Sequence, residues 1–367
     1  MKALILSDIH IQKSTPWSDD YEDFSWIVDK IRQEFHNYES CIIAGDIFST
    51  PKITQTDLVM FRDLLEAFQV WDKPVFAITG NHDLCENSVC SLLPCGRSLH
   101  TDFTNFAYCL QISGMNYTPD LDNVRSFLKS SLADVLVLHQ SARPFFDLSS
   151  LDVPQLVLED FPDDKLTIVG DTHVSRVVPK GSGAVISPGI IAPMRSKAEL
   201  LAAQTGEPYA PGYFTLDLAT RIENMTLEFN PLPCRKACVY GVPSNKSKDP
   251  LAFFTEFDRM LKDWKPGDLP IIVYLQQSDN DCLPELKKDH RLRVIQIPDA
   301  TKDSPIFNST STEVDTVDDV TNDTILAAAS EMIDEKDQSK PQVLSLLQTA
   351  LSGEQMEENI KRFLVGN

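Results

Sequence analysis

Five short apolar runs punctuate the first half of the chain, at residues 3–6, 41–44, 75–78, 135–138 and 166–169. Each is four residues long and ends in a polar turn, as buried strands of a layered sheet do. Between them the apolar spacing changes from continuous to helical. Phe24, Ile27, Val28, Ile31 and Phe35 recur at three- and four-residue intervals, and so do Leu58, Phe61, Leu65 and Phe68. Strands alternating with amphipathic helices predict an α/β layered fold with polar loops at the carboxyl ends of its strands.

From residue 181 to 229 the texture shifts toward β structure. Gly181-Ser182-Gly183, Ser187-Pro188-Gly189 and Pro211-Gly212 mark turns, and residues 213–216 and 225–229 read as strands. Pro231 and Pro233 then break the chain, which sets the expected boundary of a first domain at residues 1–232. A smaller α+β module is expected over 233–299. Its strands fall at 237–242, 271–275 and 292–297, and Phe253, Phe254, Phe257 and Leu261 mark a helix between the first two. Residues 300–323 are rich in Ser, Thr, Asp and Asn and read as an acidic linker. The segment 324–367 regains helical stripes. They are Ile325, Leu326, Ala329, Met332 and Ile333, then Val343, Leu344, Leu347 and Leu351, then Met356, Ile360, Phe363 and Leu364. Helices that short bury little alone, so they dock on their own domain or on a partner.

Charge and cysteine content narrow the setting. The formal net charge is −21, whereas a chain that grips a nucleic-acid backbone unaided usually carries a basic excess. Binding DNA would then need a local basic patch, bound metals or a basic partner. No apolar run is long enough to span a bilayer, and the N-terminal run is too short for a secretory signal. A cytoplasmic location is expected, the host cytoplasm if the chain is viral. The eight cysteines include Cys85, Cys90 and Cys95 at five-residue spacing and Cys234 and Cys238 four apart, neither of which is a zinc-binding C-x2-C pattern. Free thiols are expected.

The polar turns carry the chemistry. They are Asp8-Ile9-His10, Gly45-Asp46, Gly80-Asn81-His82-Asp83, His139 and Gly170-Asp171-Thr172-His173. In Asp8-x-His10 and Asp171-x-His173, strand alternation would put both side chains on one face. Gly45 lets the backbone approach a ligand closely, and the Asp46 carboxylate has two oxygens with which to bridge two cations. Asn81 offers a neutral carbonyl oxygen. His82 beside it can face a substrate, with Asp83 orienting or charge-stabilising it, or capping a helix. Three His, three Asp and one Asn, with His82 left over, suit two divalent ions and a proton donor. Hydrolysis of a phosphate ester is the leading reading. His36, His100 and His290 fit no such context and read as surface or structural.

Taken in order, these segments resemble the calcineurin-like metallophosphoesterase superfamily, whose motifs run D-x-H, G-D, G-N-H-[DE], H and G-H-x-H. The resemblance covers roughly residues 1–200 and departs at Asp171, which stands where the family usually has the first His of the last motif. It implies a layered β-sandwich flanked by helices, with a small α+β capping domain and C-terminal helices. It further implies a first ion on Asp8, His10, Asp46 and His173, and a second on Asp46, Asn81, His139 and Asp171, with Asp46 bridging. The ions would be Mn2+, or alternatively Mg2+. His82 would contact the phosphate and assist the leaving oxygen, supported by Asp83. Asp171 is a hard ligand that suits Mn2+ or Mg2+.

Ser187-Pro188-Gly189 with Met194-Arg195, the module at 233–299 and the terminal helices resemble SbcD-type nuclease subunits. That resemblance implies DNA as substrate, a capping domain that helps bind it, and an SbcC-type coiled-coil ATPase as partner. It also implies a homodimer within a heterotetramer, with residues 58–68 or 87–110 as candidate contacts, and no membrane association. A compact member of this kind suits a viral or bacterial source. Two other readings stand beside it: a small-molecule or protein phosphoesterase on the same scaffold, and a degenerate site kept as an assembly subunit.

Overall fold

The computed structural model describes residues 1–12, 20–34, 36–83, 96–100, 103–107, 110–145, 154–192, 197–204, 206, 208–219, 221–240, 250–276 and 283–297. The expected acidic linker at 300–323 and the helices at 324–367 lie outside them, as do Cys85, Cys90, Cys95, Met194 and Arg195. One compact unit holds Met1–Tyr240, Pro250–Leu275 and Asp281–Ile295, and a second collects the remaining stretches. No helix among the described residues is long and apolar enough to cross a membrane.

Two six-stranded sheets form the larger part of the first unit. The first contains β1 (Lys2–Leu6), β2 (Ser40–Ala44), β3 (Val75–Ile78) and β4 (Gly96–Ser98). The second contains β5 (Phe103–Ala107), β6 (Leu110–Met115), β7 (Val135–His139), β8 (Leu166–Gly170), β9 (Arg176–Lys180) and β10 (Gly183–Ser187). Strands β11 (Gly212–Asp217) and β12 (Thr226–Pro231) return to the first sheet. The orders are β12-β11-β1-β2-β3-β4 and β5-β6-β7-β8-β10-β9. Pairing is parallel from β1 through β4 and from β6 through β8, so the carboxyl ends of these strands share one edge of each sheet.

The four-residue apolar runs follow from this layering. Alternate residues of each run face opposite layers, and both layers are dry. Ala3, Ile5, Ile42, Ala44, Phe76 and Ile78 pack against Val135, Val137, Leu166 and Ile168 between the sheets. Their neighbours Leu4, Leu6, Cys41, Ile43, Val75 and Ala77 face α1 (Asp20–Gln33) and α2 (Gln55–Ala67) instead. On the far side, Leu136, Leu138 and Val169 pack under α3 (Leu121–Ser130), through its Val124 and Leu128. Helix α2 starts at a reciprocal cap: Thr54 accepts the Asp57 amide while Asp57 accepts the Thr54 amide. Phe61, Leu65 and Phe68 are buried in this core, and Leu58 packs half-buried against it.

A short helix, α4 (Lys197–Ala203), interrupts the β-rich stretch before the small module. The module is built from β13 (Ala237–Tyr240), α5 (Pro250–Asp263), β14 (Ile271–Gln276), α6 (Leu283–Leu286) and β15 (Leu292–Ile297). Its three strands lie in the order β13-β14-β15, and β13 pairs with β14 in parallel. The first half is therefore a βαβ crossover, with its helix between the first two strands as the apolar spacing suggested. Among the described residues, Cys41, Cys234 and Cys238 are thiols and not disulfides.

Where the chain enters this module, Arg235 is buried. It bonds Asp23 of α1 at 2.9 Å and the Pro270 carbonyl at 2.9 Å. Burial pushes the Asp23 carboxyl up to about 6, against the pull of Arg235. Arg235→Ala would leave that carboxylate buried without its guanidinium. Chemical denaturation should show a loss of about 3–5 kcal/mol, while the paired change Arg235→Met with Asp23→Leu should stay within about 1–2 kcal/mol of wild type.

Candidate metal centre

The strands β1, β2, β3, β7 and β8 end beside one another, and the loops that follow carry the polar motifs. Those loops leave the strand conformation at once. Asp8, His10, Asp46, Asp171 and His173 all have left-handed backbone, with φ of 48°, 51°, 51°, 91° and 55°. Among the described residues the one other non-glycine with positive φ is Gln69. Asp8 and His10 are thus neighbours because the loop curls, not because a strand alternates as the spacing suggested. Each left-handed residue costs about 1 kcal/mol or more, a strain concentrated where side chains must converge.

Backbone hydrogen bonds hold the loops in register. His10 and Ile11 donate to the carbonyls of Asp46 and Ile47 at 3.0 and 2.9 Å, and Ser49 returns a bond to Ile11 at 3.1 Å. Asp83, which is buried, accepts the amides of Ile47 (3.1 Å), Phe48 (2.9 Å) and Gly80 (3.1 Å). It staples the β2 loop to the β3 loop. Burial pushes its carboxyl up to about 6, although these amides favour the ionised form. The Ser49 carbonyl, 3.0 Å from His82 Nδ1, orients the His82 ring. A backbone carbonyl leaves no signature in the sequence, so Ser49 could not have been singled out.

Two groups of donor atoms result. On one side His10 Nε2 lies 3.1 Å from His173 Nε2, 3.5 Å from Asp46 Oδ2 and 3.9 Å from Asp8 Oδ1. On the other, His139 Nε2 lies 3.0 Å from Asn81 Oδ1, 3.4 Å from Asp46 Oδ2 and 3.9 Å from Asp171 Oδ1. Atoms that ligate one ion at about 2.1 Å sit about 3–4 Å apart for angles of roughly 90–140°. Both groups meet that spacing, and Asp46 Oδ2 belongs to both. The other oxygen of Asp46 accepts the His82 amide at 2.9 Å, which turns Oδ2 inward. Two clusters, Asp8 with His10 and His173 and Asp8 with Asp46 and His139, are each tight enough to hold a metal ion.

The ligands are aimed by groups behind them. His139 Nδ1 faces the Ala44 carbonyl at 2.7 Å; a carbonyl only accepts, so Nδ1 carries a proton in every state and Nε2 is the nitrogen that would yield its own proton to a metal. Asp8 accepts the Ser7 hydroxyl at 2.5 Å and the Asp171 amide at 3.1 Å. Ser7 was also not foreseen, though it adjoins the motif. The Tyr117 ring stands edge-on to His139 with centroids 6.5 Å apart.

The donor chemistry fits divalent cations. Asp8, Asp46, His10 and His139 are at most 3% exposed, and charge cannot be left there uncompensated. Burial pushes the Asp8 carboxyl up. Burial also disfavours the His139 imidazolium, yet Asp46, Asp8 and Asp171 outweigh it and raise the His139 pKa; Asp46 is lowered in turn. Protons thus stand in for cations around these carboxylates. His36, His100 and His290 take no part in these groups; His100 instead accepts the Asn116 amide at 3.2 Å, and Asn116 caps the Thr79 amide.

The glycines let the loops close. A Cβ at Gly45 would lie 2.5 Å from His139 Nδ1, and one at Gly80 would strike the Asp46 carboxylate. Gly80→Ala should lower Mn2+ affinity at least about tenfold, read by calorimetry, because it displaces the one carboxylate that both groups share. A second expectation follows from the His139 proton. Metal must displace it, so Mn2+ affinity rises with pH, and calorimetry at pH 7 in buffers of different ionisation enthalpy should show about one proton released per chain.

Comparison with known proteins places this region in a family. A model of the calcineurin-like phosphoesterase superfamily domain matches residues 1–205. The DNA double-strand break repair protein Mre11 of Methanococcus maripaludis is 26% identical over 175 residues. The match covers 42% of this chain and 45% of that relative, so the chain spans less than half of its length. Solved structures with similarity include a phosphoesterase-like protein of Streptococcus pneumoniae, at 14% identity and a TM-score of 0.30, over 63% of this chain and 88% of that one. Vps29 of Entamoeba histolytica, solved with Zn2+, matches at 13% and 0.30, over 63% and 99%. Superposition at that level carries no argument, and the fold rests on the strand order given above. The family match covers more than half of the 367 residues and contains all seven converging side chains: the chain belongs to the calcineurin-like phosphoesterase superfamily.

Proposed function

We propose that the chain is a two-metal phosphodiesterase that cleaves DNA, the nuclease subunit that works beside an SbcC-type coiled-coil ATPase. The observation that carries the hydrolytic part is the position of Asp46 Oδ2, 3.5 Å from His10 Nε2 and 3.4 Å from His139 Nε2. One carboxylate oxygen between two groups of donors is what a pair of ions bridged by Asp46 requires. Asp8, His10, Asp46 and His173 would hold one ion, and Asp46, Asn81, His139 and Asp171 the other. When bound, Mn2+ or Mg2+ supplies Lewis acidity at the phosphoryl oxygens and lowers the pKa of water.

The remaining work falls to His82. Its Nδ1 donates to the Ser49 carbonyl at 3.0 Å, and its ring stands edge-on to His10 with centroids 5.3 Å apart. Nε2 is then the nitrogen that meets the phosphate, and the imidazolium form of the ring passes its Nε2 proton to the leaving oxygen and keeps the one on Nδ1. Asp83 acts one step removed, by fixing the loop that carries both Asn81 and His82.

DNA as substrate is supported by the likeness to a double-strand break repair protein and by the α/β module that follows the phosphoesterase region. In this reading the module caps the bound strand, and the segment 324–367 clasps the ATPase, within a heterotetramer built on a homodimer. A net charge of −21 fits a subunit whose partner supplies much of the DNA-binding surface in the cytoplasm.

The test compares Mn2+-dependent hydrolysis of linear DNA, bis-p-nitrophenyl phosphate and a phosphopeptide by the full chain, with and without an SbcC-type ATPase. DNA cleavage that the partner stimulates is expected, and His82→Ala should lower turnover about 10²–10⁴-fold while Mn2+ binding persists. Phosphopeptide or monoester turnover without DNA cleavage would assign the scaffold to another substrate. Equal inactivity of wild type and His82→Ala with partner present would assign it to assembly.

A further inference from the structure

The two groups of donors are not chemically equal. They share Asp46, and Asp8 also lies near both, beside His10 and His173 on one side and within the cluster of Asp46 and His139 on the other. Asp171 reaches the second group alone, with its Oδ1 3.9 Å from His139 Nε2. The difference lies in the other two donors. The first group completes its set with two imidazoles, His10 and His173, whose Nε2 atoms are 3.1 Å apart. The second has one imidazole, His139, and the neutral amide oxygen of Asn81, 3.0 Å away. Counted as atoms, the first set is two nitrogens and two oxygens, and the second is one nitrogen and three oxygens.

We propose that the two ion sites differ in selectivity, and that Asp171 sets the difference. The proposal rests on the two-ion reading above but not on DNA as substrate. Imidazole-rich sites favour Zn2+ and similar borderline ions, and oxygen-rich sites narrow that advantage in favour of the hard ions Mn2+ and Mg2+. Zn2+ remains the tighter ligand-seeker at both sites, so the property that differs is the ratio of Zn2+ to Mn2+ affinity. A histidine at position 171 would give the second site two nitrogens and two oxygens, the same count as the first. The asymmetry therefore depends on this one side chain.

Accessibility leaves the difference to donor chemistry, because each site has one partly open ligand. Asp8, Asp46 and His139 are enclosed, whereas the Asp171 side chain is 27% exposed and His173 24% exposed. The loop after β8 is the open side of the centre, and Asp171 is the second site's ligand on that side. In a solution of mixed metals the chain would carry a mixed pair, with the nitrogen-richer site occupied by the softer ion.

The test needs no substrate. The metal-free full-length chain is loaded with two equivalents of Mn2+, Zn2+ is titrated in, and the bound Mn2+ is followed by electron paramagnetic resonance. In wild type one Mn2+ should leave at about tenfold lower Zn2+ than the other, so that near one Zn2+ per chain the signal of a coupled pair gives way to that of an isolated Mn2+. Asp171→His should bring the two displacements to within about threefold, and Asp171→Asn, which keeps an oxygen donor, should preserve the gap. His173→Asn should move the first displacement to higher Zn2+. Simultaneous loss of both ions from wild type would overturn the proposal, as would an Asp171→His chain that keeps the full gap. Uptake of a single Mn2+ would instead remove the two-ion reading and the proposal with it. The wild-type titration decides the matter even if a variant fails to fold.

Discussion

The centre depends on how the two oxygens of Asp46 are divided. One accepts the His82 amide, and that bond turns the other toward His10 and His139 at once. Asp46 Oδ2 thereby lies within 3.5 Å of an imidazole nitrogen of each group. The division is possible because Gly80 has no side chain; a Cβ there would collide with the same carboxylate. It is maintained by Asp83, whose three accepted amides tie residues 47 and 48 to residue 80. A buried carboxylate thus fixes the distance between the two loops that carry the donors.

The sandwich supplies the rigidity this requires. Parallel strands bring five chain segments to one edge, and their dry four-residue runs leave no slack in register: Leu6 pairs with Ile43, Ala44 with Ile78, and His139 with Gly170. The loops beyond that edge then adopt left-handed backbone at five of the converging residues. Strain of this kind persists only when the surroundings over-determine it. Packing on both faces of each sheet does so, and cations drawn to the converging carboxylates would add to it.

Much of this was legible before the fold was known. The runs at 3–6, 41–44, 75–78, 135–138 and 166–169 are all strands, because continuous apolar residues bounded by polar turns can serve little else in an α/β chain. The seven donors were named from residue type and position, since ligand chemistry is written in side chains. Strands β4 to β6 gave no such signal: Gly96–Ser98 is short and polar, and Leu110–Met115 carries Ser113 and Gly114 where close sheet packing admits no bulk. Helix α3 was available from its Asp120 cap, which accepts the amides of Asp122 and Asn123, but its ten residues form too short a pattern to stand out. What the sequence could not hold was geometry made by backbone. The Ser49 and Ala44 carbonyls that set the His82 and His139 tautomers, and the curl that joins Asp8 to His10, belong to the main chain.

The account's central claim is that a pair of ions shares Asp46. Crystals of the full chain soaked in Mn2+ and measured at a wavelength where manganese scatters anomalously would test it most directly. The prediction is two peaks per chain, about 3.5–4 Å apart, on either side of Asp46 Oδ2. The partners should be His10 and His173 at one peak, and His139 and Asn81 at the other. A single peak, or two peaks of which only one lies within ligand distance of Asp46, would contradict it.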